Sequence, residues 1–418
     1  MVEPYYGGSH RSWADAWVRH SRHDISLVTH PDEFWRWRLR GGAVTLAADF
    51  AELVDARGRP DAVVVSGLVD VAGFAGHARR SLGDTPLATY VHESQLLYPL
   101  APNQRADTSA ALVNWQSLVA SDAIWFNSAF HRDALRDALP GLLGSQPAPT
   151  HRDLIEPVFA RASVLWPGVE ADALIAAKRT HREVPRVLWN QRWDHDKNPH
   201  SVFSALVQMV EEGIDFTVAL AGQNQRPDNP DFAWVHDQLG DRIDHHGYLP
   251  DGQYEQLLLS SDVIISAADH EFFGIAIVEA LAAGSVPVLP TRLSFPELIA
   301  PQWHDAALYP DGDLRNRLRT VPTDLQGAQH RLADHRFART GFTDQPQHLA
   351  RFQIKIHPVH DFDVAGFFAR WIDRRTDFQA TYLEQGFIGH PRPPFSEVVR
   401  FRIQSATRLI EMHKVAMA

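Results

Sequence analysis

Glu271-Phe272-Phe273-Gly274-Ile275-Ala276-Ile277-Val278-Glu279 leads into Ala280-Leu281-Ala282-Ala283-Gly284 and then into Val286-Pro287-Val288-Leu289. A short β-branched run, Val263 to Ser266, comes just before it, so the order is strand, loop, helix, strand. The helix is expected to start near Gly274 and to end at Gly284, where a left-handed C-cap belongs. Free amides and the dipole of such a helix start favour an anion. Glu271 and Glu279, eight residues apart, would stand ~12 Å apart on a continuous helix, comparable to the span from a ribose to a sugar across a diphosphate. An isolated pair of this kind reads more simply as a loop acid and a solvated helix residue; the glycines, the aromatics and the strand–helix–strand order favour a site.

The same alternation extends in both directions. Candidate strands are Asp61 to Ser66, Leu87 to His92, Ala123 to Asn127 and Ala162 to Trp166, then Arg186 to Asn190, Phe216 to Ala221, Ile243 to His246, Val263 to Ser266 and Val286 to Pro290. Apolar strands spaced by helical stretches indicate parallel sheets buried on both faces, and two Rossmann-like sets fit better than one. The chain of 418 residues exceeds what one core organises. Trp166-Pro167-Gly168-Val169 and the polar stretch Lys178 to Pro185 put a linker near 168–184. The expected division is a first Rossmann-like domain over 1–170, a second over 184–325 and a partly helical extension over 326–418, its helices near 364–375 and 396–414 crossing back to the first domain. Leu139 to Pro157 reads as a loop.

Composition narrows the classes. With 44% hydrophobic and 22% charged residues the chain is an ordinary globular protein. Its net charge of −11 removes the global pull toward nucleic acid, so any RNA contact must be local. Absence of cysteine excludes disulfides and thiolate chemistry. With neither a signal-like segment nor a run of the ~20 apolar residues that span a membrane, a cytoplasmic protein without a membrane partner is expected.

Three further stretches carry chemistry. Trp189-Asn190-Gln191-Arg192-Trp193-Asp194-His195-Asp196-Lys197-Asn198-Pro199 follows the first strand of the second set. Arg192 and Lys197 on that strand-to-helix loop can neutralise a diphosphate and stabilise its charge as it leaves. Glu3-Pro4-Tyr5-Tyr6-Gly7-Gly8-Ser9-His10 places Gly7 and Gly8 after a short first strand, where backbone amides can approach a phosphate or sugar. Tyr90-Val91-His92-Glu93-Ser94-Gln95 puts His92 at a strand's carboxyl end, where α/β proteins bind ligands.

Glutamate, seven residues, glutamate, then a small-residue helix ending in glycine resembles the retaining GT-B glycosyltransferases of family 4. The resemblance implies a GT-B fold, two Rossmann-like domains facing each other across a cleft. It implies that Glu271 contacts the donor sugar, Glu279 the ribose, and Arg192 and Lys197 the diphosphate, with His92 near the reacting sugar. The implied donor set also includes Gly7, Gly8, Asn190, Gly222, Tyr248, Leu249, Phe272, Phe273, Gly274 and Ile275.

The N-terminal stretches, together with Phe34-Trp35-Arg36-Trp37-Arg38 and Phe126-Asn127-Ser128-Ala129-Phe130-His131, further resemble the tRNA-queuosine mannosyltransferases over roughly residues 1–300. Ser94 stands where asparagine is expected. That resemblance implies mannose transfer from GDP-mannose to queuosine in tRNA-Asp, with an acceptor set of Ser9, His10, Trp35, Arg36, Arg38, Glu93, Gln95 and Asn127. Aromatics interleaved with arginines can stack on bases and pair with phosphates; the same composition equally describes core tryptophans with solvated arginines.

No metal or other cofactor is required when basic side chains cover the diphosphate. Asp194-His195-Asp196, Asp311-Gly312-Asp313 and Asp361-Phe362-Asp363 read as loop acids. Rival readings are another nucleotide-sugar reaction, a lipid or small-molecule acceptor, and a non-catalytic tRNA- or nucleotide-binding module. Replacing Glu271 or Lys197 by Ala is expected to abolish transfer with the fold intact; wild-type turnover in a sugar-transfer assay would refute the assignment.

Overall fold

The computed structural model describes residues 1–100, 106–180, 182–224 and 229–323. The helices expected at 364–375 and 396–414, and the 326–418 extension as a whole, lie outside the described residues.

Twelve described strands make two parallel six-stranded sheets. The first consists of β1 (Val2–Tyr6), β2 (Val28–Pro31), β3 (Val63–Ser66), β4 (Leu87–Val91), β5 (Ala123–Phe126) and β6 (Ala162–Val164), in the spatial order β2-β1-β3-β4-β5-β6. The second contains β7 (Arg186–Asn190), β8 (Thr217–Ala221), β9 (Ile243–Gly247), β10 (Val263–Ile265), β11 (Val286–Pro290) and β12 (Leu308–Tyr309), ordered β12-β11-β10-β7-β8-β9. Every residue of β4, β7 and β11 is buried, as a sheet covered by helices on both faces requires.

Both orders reverse direction once, and ligands of open α/β sheets bind at the carboxyl ends of the strands flanking such a reversal. In the second sheet those strands are β7 and β10, which lead into the Arg192–Lys197 loop and the Glu271 loop. In the first they are β1 and β3, so the Gly7-Gly8 turn sits at the equivalent place.

Local chemistry sets the elements around the second reversal. Asn198 is left-handed, with φ at 48°, and its side chain accepts from the Ser201 amide at 3.3 Å, capping the helix Pro199–Glu211 with Pro199 in its first turn. Below that loop Trp189, Trp193, Phe203 and Phe232 are buried together, Trp193 lying flat on Phe232 at 4.2 Å. Each such aromatic contributes roughly 1.5–3 kcal/mol by burial.

Three strands, β1, β2 and β12, were not expected from their sequences, or were expected only as a short lead into Gly7. β1 carries a fully buried Glu3 and β2 a buried histidine, so hydropathy alone does not mark them. The 139–157 region also differs: the helix Ala129–Gly144 runs through Pro140, and a second helix covers Ile155–Phe159. Burial of Leu135, Leu139, Leu142 and Leu143 outweighs the hydrogen bond that the proline removes.

Gly222 follows β8 with φ at 137°, and a Cβ there would stand 1.9 Å from the Gln191 carbonyl oxygen. Gly222→Ala is expected to destabilise the protein by about 2–3 kcal/mol, read as a lowered urea midpoint.

Candidate active site

Beyond β7 the chain is tied down before it reaches its charged residues. Gln191 Nε2 donates to Ser266 Oγ at 2.7 Å, linking the loop after β7 to the end of β10, and the Trp193 indole anchors it below. Arg192 points outward to hydrogen-bond Tyr98, with Asp196 and Glu93 nearby. Burial opposes its charge, and these partners more than offset that, raising its pKa.

Lys197 is buried. Its Nζ donates to the His270 carbonyl at 2.8 Å and lies 3.3 Å from both Asp196 Oδ2 and Glu271 Oε2. Burial would discharge the ammonium, but Glu271 and Asp196 outweigh it and hold its pKa above the ordinary lysine value. Glu271 is the converse: burial raises it, whereas Lys197 and the Phe273 amide, 3.2 Å from Oε1, hold its carboxyl below the usual range. The stability each confers is lost at opposite ends, for Glu271 as pH falls through its depressed value and for Lys197 as pH rises through its elevated one. The pair is therefore charged across the neutral range.

Glu271 belongs to the loop before the helix Ile275–Ala282, which starts after Gly274 at φ 92°. The interval between the two acids is thus only partly helical, because the left-handed glycine delays the first turn. Glu279 sits on that helix, and its Oε2 accepts from the Tyr254 hydroxyl at 2.6 Å, while the same hydroxyl accepts from Asn190 Nδ2 at 2.6 Å. Burial pushes the Glu279 carboxyl up, opposed by the Tyr254 bond.

On the first sheet, His92 closes β4 beside His10, their rings 4.3 Å apart, and beside Trp13 at 4.4 Å. Burial, then the neighbouring His10 and His131, push the His92 imidazole well below its ordinary value, so it is neutral at pH 7. Its Nε2 has no hydrogen-bond partner among the described residues. For His10, burial is outweighed by the buried Glu3 carboxylate, 3.2 Å from Nδ1, and by Glu93, which raise its pKa. Gln95 Nε2 donates to Glu93 at 2.8 Å. Asn127 spans two partners, donating to the His92 carbonyl at 2.8 Å and meeting His131 Nδ1 at 2.8 Å. His131 in turn lies flat on Phe272 at 3.6 Å.

These groups surround one cavity of about 700 Å³. From the first sheet it is lined by Gly7, Gly8, Ser9, His10, Trp35 and Arg36. His92, Glu93, Gln95 and Asn127 complete that wall. Opposite stand Asn190, Arg192, Lys197, Glu271, Phe272 and Phe273, with Gly274 and Ile275. Five expected residues lie outside the lining: Arg38, Gly222, Tyr248, Leu249 and Glu279. Arg38 is half-buried near His30, because it falls beside the buried Leu39 and Gly42 of its helix. Gly222 is taken up by its contact with Gln191, Tyr248 is 73% exposed, and Leu249 packs against the core beneath β10.

The tryptophan–arginine segment divides: Trp35 is half-buried with the Arg36 guanidinium 4.7 Å over its ring, whereas Trp37 is exposed. Sequence reasoning took Asp196 for a loop acid and gave no role to Tyr98 or Glu3. Tyr254 had no local signal, since only packing brings its helix beside Glu279. Glu3, His10 and His92, and likewise Asp194, His195 and Asp196, bring ligand atoms within 4.8 Å of one another. In the second group Asp194 already accepts from the His195 amide at 2.8 Å and Asp196 pairs with Lys197. Of the other aspartate pairs, Asp311 binds Arg292 and Asp313 accepts from Asn316, and Asp361-Phe362-Asp363 lies outside the described residues. No helix among the described residues is long and apolar enough to cross a membrane.

Two sheets of this topology sharing a cavity with a cation loop and an acidic loop make this chain a glycosyltransferase of the GT-B fold. The family model of glycosyl transferases group 1 matches residues 172–317, and that of the tRNA-queuosine alpha-mannosyltransferase N-terminal region matches residues 1–169. Among solved structures, a Rickettsia africae glycosyltransferase aligns with TM-score 0.50 and 16% identity, over 84% of this chain and 88% of that one. Anabaena HepE in complex with UDP aligns with TM-score 0.53 and 15% identity, over 84% and 98%. The chain is 30% identical over 308 residues to the tRNA-queuosine alpha-mannosyltransferase of Drosophila melanogaster, covering 71% of this chain and 80% of that protein. It belongs to the tRNA-queuosine alpha-mannosyltransferase family.

Two outcomes follow from the geometry. Lys197→Met leaves the buried Asp196 and the half-buried Glu271 without their cation and is expected to cost about 3–5 kcal/mol, so this substitution perturbs stability as well as chemistry; thermal denaturation measures it. Tyr254→Phe removes the hydroxyl bonded to both Glu279 and Asn190 and is expected to cost about 1–3 kcal/mol, read as a lowered midpoint in urea denaturation.

Proposed function

We propose that this enzyme transfers mannose from GDP-mannose, with retention of anomeric configuration and without a metal, to queuosine in tRNA-Asp. The observation that carries the reading is that Arg192, Lys197 and Glu271 line one cavity together with His92, in a chain of this family. Arg192 and Lys197 hold the diphosphate near the amide-rich start of the helix Ile275–Ala282 and stabilise the charge released to it. Glu271 anchors the sugar, Glu279 the ribose, and neutral His92 a sugar hydroxyl. The acceptor hydroxyl attacks on the leaving-group face, and a diphosphate oxygen takes its proton. Ser9, His10, Trp35, Arg36, Glu93, Gln95 and Asn127 form the acceptor wall. Residues 1–170 then act as the acceptor-side domain and 184–325 as the donor domain.

Incubation with GDP-mannose and queuosine-bearing tRNA-Asp is expected to yield an α-mannosylated nucleoside by NMR, with turnover insensitive to EDTA. Glu271→Gln is expected to reduce kcat about 10²–10³-fold. A β-linked product, tighter calorimetric binding of another sugar nucleotide, or loss of turnover with chelator would each overturn the corresponding part.

A further inference from the structure

The helix Trp35–Arg57 starts from Phe34, which is held left-handed at φ 54° and ψ 50°. A bulky residue rarely adopts that conformation without compensation elsewhere, and here it leaves the ring 74% exposed. Three residues on, Trp37 is 64% exposed. Its ring lies along the helix over Gly41, where a Cβ would stand 2.7 Å from the indole. A glycine inside a helix carries an entropic cost, and at this position it is what lets the indole lie down and present its outer face. Between these rings in sequence, Trp35 and Arg36 line the cavity, so the exposed aromatics adjoin its mouth.

A chain with net charge −11 gains little from general attraction to phosphate. Planar, low-entropy side chains offer affinity that does not depend on charge, because every base has a face to stack. We propose that Phe34 and Trp37 form a stacking platform for unpaired RNA bases next to the nucleotide that enters the cavity. The platform binds loop nucleotides by their faces, without reading their edges, and holds the loop while the modified base is glycosylated. The inference rests on the acceptor reading above and adds residues that do not line the cavity.

The test uses the full chain with Phe34→Ala, Trp37→Ala and Trp37→Phe, measuring KM for queuosine-bearing tRNA, KM for GDP-mannose, kcat at saturating tRNA, and filter binding of tRNA lacking queuosine. Each Ala variant is expected to weaken tRNA binding and raise its KM about 10-fold. Trp37→Phe retains a stacking face and should stay within about threefold of wild type. Donor KM and saturated kcat should not move, which excludes misfolding as the cause. Unchanged tRNA affinity in both Ala variants overturns the platform, as does a dimer, seen by light scattering, that dissociates in the variants without loss of RNA binding. If the wild type transfers nothing to queuosine-bearing tRNA yet the Ala variants still lose tRNA affinity, the acceptor reading falls and the platform stands.

Discussion

The ammonium of Lys197 is fixed between Asp196 and Glu271 and capped by the His270 carbonyl, and the arrangement of the loops at the second sheet's reversal depends on that contact. Desolvating one cation and two acids is costly, and such clusters are seldom the most stable filling for a core. Here the cluster joins the loop after β7 to the loop after β10, two segments separated by more than seventy residues. Because those strands are neighbours at the sheet's reversal, the link is short. The ammonium is thereby fixed in place at the cavity wall.

A second chain of contacts, apolar and neutral, runs from the first sheet to the acidic loop. Asn127 fixes the His92 carbonyl and the His131 ring, and His131 lies against Phe272, next to Glu271. Glu297, from the second sheet's side, accepts the Ala129 amide at 2.9 Å, at the start of the helix that carries His131. A carboxylate at a helix N-terminus is favourable both for its free amides and for the dipole. The wall holding His92 and the loop holding Glu271 are thereby registered to each other through packing and caps.

Legibility in the sequence followed the physics of each feature. All nine expected strands are present; seven are largely buried apolar runs, as a parallel sheet covered on both faces requires, whereas the edge strands β6 and β9 have no fully buried residue. β1 escaped full recognition because its buried Glu3 breaks that pattern, and its carboxylate serves the Tyr5 amide and His10. Arg38 was grouped with Arg36 through the resemblance of their shared stretch, yet two positions on a helix differ by about 200°, and the side chains diverge accordingly. The Asn190–Tyr254–Glu279 chain could not be read at all, since nothing local links a helix at 251–259 to one at 275–282.

By itself the sequence determined the two-sheet α/β architecture and the two loops that carry charge, because hydrophobic period, glycine placement and residue spacing are local properties; the GT-B class came from the resemblance of those loops to a known family. Tertiary structure alone decided which charges neutralise one another, that His10 and His92 stand side by side with opposite pKa tendencies, and that Trp37 faces outward while Trp193 is buried. Burial and through-space distance set those outcomes, and both depend on strand order, which no stretch of sequence contains.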